Sequence, residues 1–305
     1  TFRFDSRLVE PAETYESALI GSIRKRRFQG GSAALSIQPN KHSHGTRRTW
    51  SPSLMLMSSW RAPGIEELFS GGPHLAAYSF EIGNPELESE RGYSVEVALD
   101  VQHEFPVLGA LSGQVAIFQN RFESFIFPAY TGRLSPRRAD LHEYRFLGQD
   151  ALFNGMDLDL QLRRSDGQGG AGEMIAAGSM VRGELTERLV PLPEIPPLHG
   201  KLLLRRLTGA WMFENSLHWA AAQSRVYTWE SGGDDLLVMS EASTAGWVRC
   251  DLALEWKAVL AGRLLSLNAK VQNVFDREYY DHLSRVRSVM PQAGRALSVH
   301  LKLWW

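Results

Sequence analysis

The chain has 305 residues, 44% of them hydrophobic, with a formal net charge of −1 and a single cysteine, Cys250. These values allow one large domain or two small ones and exclude an intrachain disulfide; with acids and bases interspersed, they leave no basic face of the kind nucleic acid requires. The longest apolar stretches, such as Ser53 to Met57 and Leu202 to Leu204, fall far short of the roughly 20 residues of a transmembrane helix, so any membrane-spanning part must be built from strands. The chain opens at Thr1 with no initiator methionine and no charged-then-apolar leader, and we expect a fragment or a processed chain.

Taken in chain order, five segments alternate with a strict period of two, the signature of strands with one apolar face. Tyr93, Val95, Val97, Leu99 and Val101 alternate with Ser94, Glu96, Ala98, Asp100 and Gln102. Met156, Leu158, Leu160 and Leu162 do the same against Asp157, Asp159, Gln161 and Arg163. Further along come Val248 to Trp256, Leu265 to Val271, and finally Leu297, Val299, Leu301, Leu303 and Trp305 against Ser298, His300, Lys302 and Trp304.

A soluble sandwich also alternates, so the pattern alone leaves two classes open, a membrane barrel and a soluble all-β binding domain. The connections discriminate. Short links near Pro39 to Gly45, Pro106 to Ser112, Ser165 to Gly172, Leu207 to Trp211 and Leu260 to Gly262 interleave with long ones over about 10–26, 62–90, 129–150, 190–198, 231–246 and 281–294. About twelve antiparallel strands follow, with the short turns and the C-terminus on one side, the periplasm in a bacterial outer membrane, and the long loops outside. Trp50, Trp60, Phe118, Phe122, Phe127, Trp211, Trp219, Trp229, Trp247 and Tyr279 are placed near strand ends, where interfacial aromatic girdles lie. Gly167 to Gly172 reads as a turn and not as a phosphate loop.

Three segments carry a family resemblance. Trp60-Arg61-Ala62-Pro63 with Glu67-Leu68-Phe69, Asn84-Pro85-Glu86-Leu87 with Glu90, and Gln272-Asn273-Val274-Phe275-Asp276 with Tyr279-Tyr280 occur in the order and spacing that resemble TonB-dependent outer-membrane receptors. Singly these are ordinary turn initiators and polar strand ends. The resemblance covers nearly the whole chain, and within it Arg61, Pro63, Asn84, Pro85, Asn273, Phe275, Asp276 and Tyr279 are the motif positions. It implies a 22-stranded barrel closed by an N-terminal plug that engages the TonB energy-transducing complex. Residues 1–305 are then expected to be the C-terminal barrel portion, all-β and without the plug, in the outer membrane of a Gram-negative bacterium. A twelve-stranded barrel closing on itself, and a truncated barrel that does not transport, are the alternatives. Trp305 takes the place of the family's C-terminal aromatic, usually Phe, read by the barrel-assembly machinery. Membrane lipid is the remaining partner.

No Gly-x-Ser-x-Gly elbow or His-Glu-x-x-His helix exists and the Ser, His and Asp residues are scattered, so we expect no enzyme and no resident cofactor. The resemblance places ligand binding on the outer loops. Gly72-Pro73-His74-Leu75-Ala76, running on to Phe80-Glu81, and Asp281-His282-Leu283-Ser284 resemble the zinc-uptake branch. Imidazole and carboxylate suit zinc, which makes His74, Glu81, His142, Glu143, Asp281 and His282 the candidate ligand-binding residues, with His74 and His282 foremost as metal ligands. Siderophore, haem and cobalamin remain alternative cargoes. His42 and His44, spaced like a metal pair, fall in a link assigned to the periplasmic side and are read as turn residues.

Overall fold

A computed structural model of the chain describes residues 1–9, 16–17, 21–22, 25–39, 42–43, 48–75, 78–135, 137, 141–166, 170–230, 238–260 and 262–304. Twelve strands run antiparallel in sequence order through one sheet: β1 (Phe2–Val9), β2 (Arg26–Ile37), β3 (Arg48–Arg61), β4 (Glu90–Phe105), β5 (Gly109–Leu134), β6 (His142–Ser165), β7 (Ala171–Leu185), β8 (His199–Thr208), β9 (Trp211–Ala220), β10 (Trp247–Leu260), β11 (Arg263–Gln272) and β12 (Ala296–Trp304). Each strand pairs with its chain neighbours, the meander of an up-and-down barrel. Among the described residues β1 pairs with β2 and β12 with β11, and the two outer strands do not pair with each other, so the sheet is open and a self-closed twelve-stranded barrel is not formed.

Register puts the apolar half of every alternation on one face. Leu54, Val97, Ile117, Met156 and Met180 stand in one cross-strand row, and Leu252, Val271 and Leu297 in another. Most side chains on this face are exposed: Val97 is 55%, Ile117 58% and Leu301 68% accessible, with Leu54 and Val271 half-buried. An apolar face turned outward is the inverse of a soluble sandwich and matches a lipid-facing band. The opposite face is polar and internally paired. Arg163 and Arg205 both reach Glu173, at 2.8 and 2.6 Å, and Arg205 also reaches Glu214 at 2.7 Å, an ionic ladder across β6 to β9.

Short turns close one end of the strands as expected. Gly109 opens β5 with φ of 96°, where a Cβ would collide with the carbonyl oxygen of Arg163, and Gly209 turns β8 into β9 with φ of 55°. Of the 39–45 link, residues 42–43 form a two-residue strand opposite Trp50 and Thr49, while His44 lies outside the described residues. So does most of the 10–26 link, apart from a small pairing of residues 16–17 with 21–22.

Three expectations need correction. The 129–150 link is mostly strand, because β5 and β6 run for 26 and 24 residues, far beyond the roughly 10 a bilayer requires. The polar composition read as loop there belongs to a hairpin that continues past the membrane. Residues 62–90 contain a helix, α1 (Ile65–Phe69), too short to leave a period; the Glu67 carboxylate starts it by accepting the Gly64 N–H at 2.6 Å. Among the aromatics, Trp50, Trp60, Trp211, Trp219 and Trp247 sit at strand ends, but Phe118, Phe122 and Phe127 lie inside β5 and Tyr279 is buried in a loop.

Candidate functional site

The long connections gather at the end of the sheet opposite the tight turns, and two constructions build this mouth. The first is the 62–89 connection, folded onto the ends of β1, β2, β5 and β6 around Phe28, Ala62, Leu68, Leu87 and Ile126. The motif residues hold it. Arg61 pairs with Glu67 and with Glu90, and the other Glu90 oxygen accepts the Ile126 N–H at 2.6 Å. Arg61 is held even more firmly protonated than usual, first by its hydrogen bond to Glu90 and against the cost of burial. Asn84 donates to the Phe146 carbonyl at 3.1 Å and accepts from the Glu86 N–H, while Arg26 donates to the Pro85 and Leu87 carbonyls. Pro63 is fully buried beside this helix. These residues pin a loop to the wall, as structural fasteners.

The third motif has the same character. Asn273 is 1% exposed with φ of 49°, and it ends β11 by donating its N–H to Asp251 Oδ1 while its carboxamide donates to the Arg277 carbonyl and accepts from the Arg277 N–H. Asp276 accepts the Arg295 N–H at 2.7 Å, which fixes the start of β12. The Tyr279 hydroxyl accepts from Arg249 at 2.9 Å and its ring packs on Trp247. Phe275 is 78% exposed, placed as an interfacial aromatic would be. Trp305 lies outside the described residues.

The second construction is a roof. Leu192 and Ile195 of the 186–198 link, with Tyr227, pack on Phe127, Ala151 and Leu185, and polar bonds tie this layer to residues 238–246 and 273–295. Arg287 reaches Glu241 at 2.6 Å, Arg285 reaches Glu194 at 3.1 Å, and Gln223 donates to the Ile195 carbonyl. His282, 2% exposed, stands at the centre with Nδ1 3.0 Å from the Thr244 hydroxyl and Nε2 3.5 Å from Glu241. Burial lowers its pKa first; Glu241 opposes that, and Arg287 adds to it.

Beneath the roof lies a cavity of about 550 Å³. Its floor is the polar face of the sheet, with Glu96, Asp157, Asp159, Lys201 and His218; its rim holds His199, Asp281 and His282. His199 directs Nδ1 to the Pro197 carbonyl at 2.9 Å, which fixes the tautomer that leaves Nε2 as the free lone pair. Among the described residues no three His, Cys, Asp or Glu side chains converge as a preformed metal cage. Four carboxylates, Glu96, Asp157, Asp159 and Asp281, and the single ammonium of Lys201 line the space.

A family description, "TonB dependent receptor-like, beta-barrel", matches residues 45–274. The chain belongs to this family. That family consists of transporters and not enzymes, and the outer membrane of Gram-negative bacteria is its place. Solved structures agree on the fold. The chain is similar to the copper transporter OprC (TM-score 0.72, 19% identity, 98% of this chain and 44% of that one). It is also similar to the FrpB iron transporter from Neisseria meningitidis (0.63, 13%, 98% and 42%) and to the siderophore receptor PirA from Acinetobacter baumannii (0.58, 16%, 93% and 41%). The chain thus spans less than half the length of each of these proteins.

The loop candidates divide among separate places. His74 meets Glu81 at 2.9 Å in a small hairpin, itself paired in parallel with the start of β6. His142 turns to the Tyr130 hydroxyl at 3.3 Å and Glu143 to Thr131 at 2.9 Å. Asp281 and His282 line the roofed cavity, and no contact joins His282 to His74 among the described residues. Reading the sequence for loop ligands passed over His199, His218, Asp157, Asp159 and Glu96. Their signal was present as the polar half of each alternating strand, which is the lumenal half once the apolar face is given to lipid.

Proposed function

We propose that this chain forms the wall and outer mouth of a TonB-dependent importer of a transition-metal ion, with zinc as the cargo, and that the cavity under the loop roof is where the incoming cation is received. One observation carries the reading: three imidazoles, His199, His218 and His282, border a single 550 Å³ space with Glu96, Asp157, Asp159 and Asp281. Imidazole and carboxylate without thiolate favour zinc over cuprous ion, and the acidic surplus raises the local concentration of any cation. An incomplete ligand set suits a path, because an ion held in a finished cage would not leave. His74 with Glu81 supplies a second, outer contact on the same route. Energy from the TonB complex through a plug, and delivery by the barrel-assembly machinery with Trp305 as its signal, belong to the same proposal.

The test is zinc and copper(II) titration of the refolded chain in detergent, by calorimetry, with H199A, H218A and H282A. The account expects zinc binding in the micromolar range, weakened roughly tenfold by each variant as one ligand is lost. Binding that none of the three changes, or stronger retention of a ferric siderophore than of either metal, would remove the zinc reading.

A further inference from the structure

On the apolar face of the sheet, away from the lumen, lies a second hollow of about 700 Å³. It exists because small residues interrupt the outward row. Gly172 stands between Arg164 and Arg206, next to the outward row of Leu162, Met174 and Leu204, and Ala269 lies opposite Leu254, so neighbouring large side chains form walls around an open floor. A Cβ at Gly172 would meet nothing nearer than the Arg206 guanidinium, 3.9 Å away. The hollow is therefore floored by bare backbone and overhung by a cation.

Its end toward the tight turns is charged in one sense. Arg164 and Arg206 both border it, and register places them side by side across Gly172 on the outward face. Both are exposed. Arg206 makes one ion pair, to Asp166 at 2.9 Å, with its other Nη directed over Gly172, and Arg164 has no ion pair among the described residues. Two guanidinium groups next to one carboxylate leave a net positive charge where this face passes from hydrocarbon to headgroups on the periplasmic side.

We propose that this hollow is a binding site for one anionic diacyl phospholipid of the periplasmic leaflet, its phosphate on Arg164 and Arg206 and an acyl chain against Gly172, Leu204, Phe213 and Leu254. Guanidinium presents paired donors to a phosphate, and basic positions at the membrane surface select anionic lipid. An apolar hollow is filled by chain methylenes at a gain that a smooth wall does not offer. The site is independent of the cargo, since it opens on the opposite face of the sheet from the roofed cavity.

The full chain, folded in detergent, is exposed to mixed vesicles of phosphatidylglycerol and phosphatidylethanolamine, repurified, and its retained lipid quantified by native mass spectrometry. The expected result is about one phosphatidylglycerol per chain. The combined R164Q/R206Q variant should lose the preference for it by roughly tenfold or more, at about 1 kcal/mol per basic group. G172L fills the floor and should lower retention of both lipids, while R164Q alone, at an exposed side chain, keeps the test available if the double variant does not fold. Retention unchanged in R164Q, equal retention of the two lipids by the unaltered chain, or displacement of the lipid by inorganic phosphate alone would each overturn the proposal.

Discussion

In β11 and β12 every second residue is apolar and turned outward, with Leu297 71% and Val299 60% exposed; in the loop joining the same two strands Asn273 and His282 are buried to 1% and 2%. The strands follow the rule of a membrane wall, apolar outside and paired polar groups within. The loops follow the rule of a small soluble domain, with hydrogen-bonded polar groups packed at the centre. One chain thus meets two solvents, and the boundary runs where the lipid-facing rows end and motif residues such as Arg61 and Asn273 begin.

That contrast predicts unequal responses to charge. Leu301→Arg puts an ion into the lipid-facing band and should lower stability by about 2–4 kcal/mol in urea unfolding from bilayers. Its lumenal neighbour His300→Arg should change it by well under half that; equal effects would erase the distinction. At the boundary, Glu90→Gln removes the charge that Arg61 and the Ile126 N–H share. It should cost about 1–3 kcal/mol and release hydrogen-exchange protection in 62–89 while the β10–β12 core stays protected. In the roof, Arg287→Ala takes a charged partner from the largely buried Glu241 carboxylate and should also cost about 1–3 kcal/mol, visible as faster exchange in 221–230 and 273–295 without change in the wall.

The smallest effect is on pH. His282 is a base whose pKa burial lowers from 6.5, so the unfolded chain takes up its proton first as the solution is acidified. Roof stability is therefore full above that value, declines as pH falls through it, and levels off below the lowered pKa of the folded ring. Glu241, Arg287, Asp281 and Glu194 all act on that ring, and His282→Gln should flatten the exchange rate of 273–295 between pH 7 and 5.

The wall was legible in the sequence because lipid imposes a period of two: the segment Leu297 to Leu303 needs no tertiary information to be read, and twelve strands with alternating short and long links emerged as read. The mouth was not legible to the same degree. The polar run from Ala129 to Asp150 looks like loop, yet backbone pairing between β5 and β6 carries it onward as strand, since composition reports solvent and not hydrogen bonding. His74 and His282 are alike in sequence, but tertiary packing sends one to Glu81 in an outer hairpin and the other beneath three loops. His218 escaped notice because a lone polar residue on an alternating strand looks like any other until register sets it beside Lys201 and Arg249.

The central claim is the assignment of the two faces of the sheet. Single nitroxide labels at Leu252, Val299, Ala253 and Ser298, with Cys250 replaced by Ser, would report collisions with oxygen and with a water-soluble nickel chelate in reconstituted bilayers. The account predicts that Leu252 and Val299 collide chiefly with oxygen and Ala253 and Ser298 chiefly with nickel. Aqueous nickel collisions at all four positions would contradict it.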